Sequence, residues 1–192
     1  DLAEPDSIRR CIDGVNPEVI VNAAAYTAVD KAESEPELAF ALNAVAPGIL
    51  AEETHERGAL LIHYSTEYLF DGFKEGPYAE ADQPNPLSVY GRTKLDGDKA
   101  ILDSGCRHLI FRVSWVYGAR GHNFLRTILR LAGERPTLRI VDDQIGSPTS
   151  SRLIAEATAQ ILAQVLRRGN PDIRELCNLS NNGQTSWCGF AR

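Results

Sequence analysis

The sequence predicts an α/β fold in which helices cover a parallel sheet. Two observations predict it: short apolar runs suited to buried strands alternate with longer segments whose apolar residues recur with the helical period of 3.6. Strands separated by helices of about ten or more residues are joined by right-handed crossovers, which give a doubly wound, Rossmann-like sheet.

Three buried strands are predicted, at residues 19–21, 60–64 and 109–113. Each run is apolar on both faces, which is typical of a parallel sheet covered on both sides. Polar and small residues follow these strands, at 22–27, 65–68 and 114–118. Because ligands bind beyond the carboxyl ends of parallel strands, we expect the three segments to cluster at one edge of the sheet.

Two long helices are predicted. The first begins at residues 34–37, which have the pattern of a capping box with proline in the first turn, and it ends at Gly58. Its apolar stripe consists of Leu38, Leu42, Val45, Ile49 and Leu50. The second ends at Gly169, and its apolar face consists of Leu153, Ala157, Ile161, Leu162 and Val165.

The composition is that of an ordinary globular domain. The 192 residues are 43% hydrophobic and 24% charged, enough to bury a core without disulfides or metals. No apolar run approaches the roughly 18 to 20 residues of a membrane-spanning helix, and no secretory signal is visible, so we expect a cytoplasmic protein. The net charge of −6 disfavours nucleic acid as a partner. The cysteines are far apart and predict reduced thiols: Cys11, Cys106, Cys177 and Cys188.

Tyr90 and Lys94 form the clearest chemical pair in the sequence. If a helix begins near residues 87–88, their i, i+4 spacing places the phenol and the ammonium on one face. A nearby cation stabilises phenolate and brings the pKa of a phenol closer to neutral pH. The same spacing also fits an ordinary solvated helix face. Thr66, at the end of a predicted strand, favours the chemical interpretation because it could place a hydroxyl beside the same substrate oxygen.

Other candidates remain open on the residues alone. Trp115 could pack in the core or against a sugar ring. The histidines form no motif and are interpreted as scattered surface or structural residues: His55, His63, His108 and His122. No signature of a zinc metalloprotease, an α/β-hydrolase or a P-loop nucleotide triphosphatase occurs.

Five segments together resemble the extended short-chain dehydrogenase/reductases, and within them the branch that reduces dTDP-4-dehydrorhamnose. They are residues 21–33, 65–72, 90–94, 112–118 and 143–149. The Tyr-x-x-x-Lys pattern belongs to the whole superfamily, whereas the first, second and last segments point to this branch.

The resemblance implies hydride transfer from NADPH or NADH to the C4 ketone of dTDP-4-dehydro-6-deoxy-L-mannose, in dTDP-L-rhamnose biosynthesis. Tyr90 would donate the proton, Lys94 would tune Tyr90 and bind the nicotinamide ribose, and Thr66 would polarise the ketone. The implied cofactor-binding residues are Ala24, Ala25, Tyr26, Thr27, Tyr64, Tyr90 and Lys94. The implied substrate-binding residues are Thr66, Glu67, Trp115 and Asn123, with Asn123 opening a helix toward the diphosphate.

The resemblance also sets the expected organisation. The chain has no Met, and both ends have the pattern of interrupted elements, so we interpret it as a fold truncated at both ends. We expect residues 1–135 to form a partial Rossmann-like dinucleotide-binding domain, and residues 136–192 a partial substrate-binding lobe interleaved with the last core helix. A magnesium requirement and a homodimer are compatible with the family, although no metal-ligand cluster is visible.

Two departures from the family pattern matter. Glu67 stands where the family has Asp, which lengthens the reach of that carboxylate. The Gly-rich turn that holds the cofactor pyrophosphate is absent, so we expect these 192 residues alone to be inactive. Two alternatives remain: a non-catalytic regulatory subunit of the same fold, and a reductase or epimerase acting on another nucleotide sugar.

Overall fold

The computed structural model describes residues 1–170 and 172–192. Packing divides them into two compact units. The first contains residues 1–112 and 172–178, and the second contains Val113–Asn170 and Leu179–Arg192. The expected functional division near residue 135 stays a prediction.

The helices and strands alternate along most of the chain. The helices are α1 (Pro5–Val15), α2 (Val29–Ala32), α3 (Pro36–Phe40), α4 (Ala46–Arg57), α5 (Val89–Asp103), α6 (Phe124–Glu134), α7 (Ser151–Arg168) and α8 (Trp187–Ala191). The strands are β1 (Val19–Asn22), β2 (Leu60–Thr66), β3 (Arg107–Val113), β4 (Val116–Tyr117), β5 (Ile145–Gly146), β6 (Thr149–Ser150), β7 (Arg174–Leu179) and β8 (Thr185–Ser186).

The main sheet has the strand order β1-β2-β3-β7. β1 and β2 pair in parallel, with Val19 opposite Leu60 and Asn22 opposite His63. Aliphatic side chains from α1, α4, α5 and the strands pack together in the core of the first unit. The predicted Rossmann-like α/β fold with a parallel sheet is therefore confirmed, and each of the three predicted strands is present. Val21 in β1 is 49% exposed, so within the described residues the expectation of burial on both faces is wrong for this strand, which lies at an edge of the described sheet.

The first predicted helix begins and ends where expected but contains an interruption. Helical residues run from Pro36 to Arg57, and Gly58 follows in the left-handed conformation with a φ of 63°. The predicted capping box is absent, because the Ser34 hydroxyl donates to the Lys31 carbonyl at 2.9 Å. A π-helical segment, Ala41–Val45, lies between α3 and α4.

The π segment changes which side chains point into the core. A π turn contains more residues than an α turn, so residues before and after it do not share one stripe. Leu38 and Val45 are exposed, whereas Asn43 is completely buried. The predicted stripe is therefore confirmed at Ile49 and Leu50 and wrong at Leu38 and Val45.

α5 carries both Tyr90 and Lys94. It begins next to Ser88, so the condition for the Tyr90 and Lys94 spacing is met, and the Ser88 Oγ accepts a hydrogen bond from the Gly91 N–H at 3.0 Å. The helix lies very close to its neighbours at two glycines. A Cβ at Gly97 would overlap the Asn43 carbonyl oxygen, and a Cβ at Gly91 would overlap the Tyr68 carbonyl oxygen. These contacts fix the position of the face that carries Tyr90.

The second unit is built around α6 and α7. β4 and β6 pair in parallel, and β5 and β8 pair antiparallel. α7 is capped by Ser150, which accepts from the Leu153 N–H at 3.1 Å, and it ends at Gly169 as predicted. Within the described residues, no helix has both the length and the apolar character needed to cross a bilayer.

Candidate active site

Tyr90 and Thr66 meet where α5 approaches the end of β2. The Thr66 hydroxyl lies beside the Tyr90 phenol, donates to Glu67 Oε2 at 3.1 Å and accepts from the Tyr68 N–H at 3.2 Å. Burial raises the pKa of Tyr90, and the neighbouring Thr66 hydroxyl opposes this increase. A hydroxyl has one proton to donate, so Thr66 can donate to only one acceptor at a time. The structure thus brings two neutral hydroxyls together.

Lys94 lies one helical turn after Tyr90 and is buried. Its Nζ lies 3.0 Å from His63 Nε2 and 2.7 Å from the backbone carbonyl oxygen of Tyr64. Burial lowers the pKa of Lys94 to about 8, and the carboxylate of Asp98 opposes this shift. The amine therefore lies against β2, with a pKa close to the physiological range.

His63 joins Lys94 to the end of β1. The His63 ring is completely buried, with Nδ1 3.0 Å from Nδ2 of Asn22. Asn22 Oδ1 accepts from the Ala24 N–H at 3.3 Å. Burial and the positive charge of Lys94 lower the pKa of His63 well below its usual range, so the ring is neutral at pH 7. The sequence interpretation of the histidines missed this contact, although His63 stands in a buried strand three residues before Thr66.

Asp98 is a second buried group that sequence reasoning missed. Its Oδ2 accepts from the Ser65 hydroxyl at 2.7 Å. Among the described residues its Oδ1 has no hydrogen-bond partner, and it lies 3.8 Å from His63 Nε2. Burial raises the pKa of Asp98 to about 6, and the positive charges of Lys94 and Arg112 oppose the shift. The i, i+4 spacing from Lys94 was the signal that could have identified it.

The loop after β1 carries four of the implied cofactor-binding residues. Asn43 holds its backbone, because Asn43 Oδ1 accepts from the Tyr26 N–H at 2.8 Å and Asn43 Nδ2 donates to the Tyr26 carbonyl at 3.1 Å. The Tyr26 hydroxyl donates to Glu35 at 2.7 Å. Small side chains flank this anchored residue: Ala24 and Thr27 are exposed, and Ala25 is half-buried. The loop is thus held in one conformation by its own unit.

Two implied substrate residues belong to the second unit. The Trp115 ring stacks on Trp187, with centroids 3.5 Å apart and an interplanar angle of 9°. Gly146 also touches that ring, since a Cβ there would overlap it. Asn123 caps α6 as predicted, because its Oδ1 accepts from the Arg126 N–H at 3.2 Å. The roles of Trp115 and Asn123 toward a sugar or diphosphate stay predictions.

Within residues 1–170 and 172–192, no three His, Cys, Asp or Glu side chains gather in a way that could hold a metal ion.

Comparison with known proteins gives consistent matches. The whole chain, residues 1–192, matches the family described as RmlD substrate binding domain. A protein of Salmonella typhimurium named dTDP-4-dehydrorhamnose reductase is 47% identical over 191 residues, which is 100% of this chain and 63% of that protein. A protein of the same name from Burkholderia thailandensis is 47% identical over 193 residues, covering 100% of this chain and 65% of its own length.

Solved structures give the same result. The crystal structure of dTDP-4-dehydrorhamnose reductase from Bacillus anthracis, in complex with NADP, superposes with a TM-score of 0.88 at 34% identity. The match covers 100% of this chain and 66% of that one. This chain therefore spans a little under two thirds of the length of the relatives it matches.

Proposed function

The chain belongs to the RmlD substrate binding domain family, and on this premise we propose that the full-length protein is an NAD(P)H-dependent dTDP-4-dehydrorhamnose reductase. It reduces the C4 ketone of dTDP-4-dehydro-6-deoxy-L-mannose, and the product is dTDP-L-rhamnose. The observation that carries the proposal is the placement of the Thr66 hydroxyl beside the Tyr90 phenol, one helical turn from Lys94. The relatives named for this reaction, at 47% identity, support the choice of substrate.

The hydroxyls of Thr66 and Tyr90 act on the ketone oxygen in different ways. Thr66 donates a hydrogen bond to the carbonyl oxygen and polarises it. Tyr90 transfers its proton to the same oxygen as the alkoxide forms. Burial keeps Tyr90 protonated before the reaction, and the ammonium form of Lys94 stabilises the phenolate that remains afterwards.

The residues of this chain fit the nicotinamide end of a dinucleotide. Lys94 supplies an ammonium donor, and the residues that directly follow β1 have small side chains: Ala23, Ala24 and Ala25. When bound, the cofactor supplies the hydride. Lys94 and the loop at residues 24–27 would hold its ribose and nicotinamide.

The setting of this activity is part of the proposal. We place the protein in the cytoplasm, since the four cysteines are free thiols in the described structure. A homodimer and a magnesium requirement stay predictions of the family resemblance.

The decisive test is turnover by the purified full-length protein. With dTDP-4-dehydro-6-deoxy-L-mannose and NADPH, we expect oxidation of NADPH with formation of dTDP-L-rhamnose. The Tyr90→Phe variant should lose activity by a factor of about 10² or more, because proton transfer to the alkoxide is lost. Tyr78→Phe is a matched control: this phenol donates to Asp71 at 2.8 Å, outside the group around Tyr90.

Three results would contradict the proposal in different ways. Binding of cofactor without turnover would favour the regulatory subunit. Turnover only with another nucleotide sugar would reassign the substrate. Full activity of Tyr90→Phe would move the proton donor elsewhere.

A further inference from the structure

The hydrogen bonds around His63 have a direction that the heavy atoms determine. The Ala24 N–H can only donate, so it fixes Oδ1 of Asn22 toward Ala24 at 3.3 Å. The Asn22 amide therefore presents its NH₂ group to His63 Nδ1 at 3.0 Å. Nδ1 must accept this hydrogen bond, and the single proton of the neutral imidazole must reside on Nε2.

This tautomer restricts what Lys94 can do. His63 Nε2–H points at Lys94 Nζ, 3.0 Å away, and only an amine with a free lone pair can accept from it. An ammonium at Lys94 has three donors and no acceptor, so it would meet a donor there. Protonation of Lys94 with its hydrogen bond retained thus requires the imidazole proton to leave Nε2.

We propose that Asn22 and His63 are positioning residues for Lys94, and that the tautomer of His63 changes whenever Lys94 gains or loses its proton. In the first state Lys94 is an amine that accepts from His63 Nε2–H. In the second state Lys94 is an ammonium that donates to Nε2, His63 carries its proton on Nδ1, and the Asn22 amide rotates to accept it. The protein takes up one proton in total, and the imidazole stays neutral in both states.

The second state has a definite cost and a definite gain. The cost is that rotation of the Asn22 amide gives up the hydrogen bond from the Ala24 N–H and turns the NH₂ group toward that donor. Within the cluster the gain is an ammonium beside the carbonyl oxygen of Tyr64, which accepts from Nζ at 2.7 Å. Asn22, which lies directly opposite His63 in the sheet register, therefore controls the free-energy difference between the two states.

The ionisable groups around Lys94 come from three elements. His63 lies on β2, Tyr90 and Asp98 lie on α5, and Arg112 on β3 faces Asp98, with its Nε 4.0 Å from Oδ2. Asp98 favours the ammonium form of Lys94. Its Oδ1, 3.8 Å from His63 Nε2, favours a proton on that nitrogen. The Asp98 carboxylate thus stabilises the ammonium state through Lys94 and the amine state through His63. Because it favours both states, the preference between them depends on Asn22.

The role of the pair in catalysis rests on the proposed function, whereas the coupling itself does not. If the ammonium of Lys94 is the active form, turnover falls as pH rises through the titration of Lys94. A residue that favours the second state extends activity to higher pH.

NMR of the imidazole nitrogens tests the coupling directly. In full-length protein labelled with ¹⁵N-histidine, long-range proton–nitrogen spectra distinguish a protonated ring nitrogen from an unprotonated one. We expect His63 to move its proton from Nε2 to Nδ1 as pH falls, with the same midpoint as the side-chain titration of Lys94. A tautomer that stays constant through that titration, or an imidazolium at His63, would overturn the proposal.

His108 is an internal control in the same spectrum. This second histidine is also buried, but its Nδ1 lies 3.0 Å from the Cys106 carbonyl oxygen, which can only accept. His108 should therefore keep its proton on Nδ1 at every pH at which it is neutral. A parallel change at both histidines would show a global transition rather than the proposed coupling.

The Asn22→Asp variant tests whether Asn22 determines the tautomer of His63. A carboxylate can only accept, so it retains the Ala24 N–H and fixes the proton of His63 on Nδ1. We expect no tautomer change in this variant and an upward shift of the Lys94 midpoint by about one pH unit. The alkaline limb of turnover should move by the same amount, and an unchanged midpoint would contradict the proposal. If the variant does not fold, the wild-type spectra still decide.

The two hypotheses can fail separately. Coupled titration in a protein without reductase activity would retain the coupling and reject the proposed function. Normal reductase activity with a constant His63 tautomer would do the reverse.

Discussion

Two groups of charged residues in the first unit differ in burial. One, which we call the surface group, lies between α1 and α4 and has the exposed Glu52 and Asp13 around the buried Glu53. The other is buried between α5 and the sheet. In the surface group, Arg9 contacts the buried Glu53 at 2.5 Å, and Arg57 contacts the other oxygen of Glu53 at 2.6 Å. In the buried group, Asp98 has Arg112 at 4.0 Å, beyond hydrogen-bond distance, and Lys94 hydrogen-bonds to neutral partners.

The difference shows two ways in which a fold accommodates charge. Surface ions keep part of their hydration and pair directly, with modest gains in free energy. Buried ions lose their hydration, and the cost appears as a pKa displaced toward the neutral form. Burial lowers the pKa of Lys94 to about 8 and raises that of Asp98 to about 6. The buried group can therefore exchange protons near neutral pH.

Removal of the buried carboxylate should have the largest effect on stability. Asp98→Ala leaves the Ser65 hydroxyl without its acceptor and Arg112 without its nearby negative charge. We expect the free energy of unfolding to fall by about 3 to 5 kcal/mol in urea denaturation. Asp96→Ala, two residues earlier with a side chain 48% exposed, is the control and should change it by less than about 0.5 kcal/mol. Equal losses in the free energy of unfolding would show that the buried Asp98 contributes no more to stability than the exposed Asp96.

The pH dependence of stability should show a smaller effect with a definite sign. The pKa of Asp98 is about 6 in the folded protein and near 3.8 when unfolded, so the folded state binds this proton more tightly. The resulting stabilisation is complete below pH 3.8 and is lost as pH rises through 6. Relative to Asp98→Asn, the wild-type free energy of unfolding should fall by about 3 kcal/mol between these limits. Denaturation curves across this range measure it, and a difference that grows with pH would contradict the assignment.

The surface group should respond least. Glu53→Ala removes a carboxylate that is 6% exposed and joins two arginines, and we expect a loss of about 1.5 kcal/mol in the free energy of unfolding. Glu52→Ala removes a partner of Arg9 that is 59% exposed, and its effect should stay below about 0.5 kcal/mol. Added salt should reduce the effect of Glu52→Ala further. A larger loss at Glu52 than at Glu53 would reverse this ranking.

The sequence predicted the architecture well because periodicity reports burial. The runs that became β2 and β3 were visible as apolar segments, and Gly169 marked the end of α7. The π segment was not predictable in this way. It lies against α5, where Gly97 leaves room for the Asn43 carbonyl of a distant segment, and a local pattern does not report such a tertiary contact.

The site was predictable where chemistry follows local spacing. Tyr90 and Lys94 were found through their i, i+4 relation, and Thr66 through its place at a strand end; the structure brings Thr66 and Tyr90 together, while their catalytic roles stay predictions. The contact of His63 depends on strand register, which places Asn22 opposite it across β1 and β2. Register is a property of the assembled sheet, so a single histidine in an apolar run gave no sign of its partners.

The side-chain amide of Asn43 determines how the Tyr26 backbone should exchange its amide hydrogen. Through its side-chain amide it gives the Tyr26 backbone one donor and one acceptor, as the peptide group of an adjacent strand would. The π-helical segment thereby supplies the hydrogen bonds that a neighbouring strand would supply, although Tyr26 lies in a loop after the end of β1. The Tyr26 amide should consequently resist hydrogen exchange like a residue of a β-ladder, and its protection should vanish when the π segment opens rather than when the sheet does.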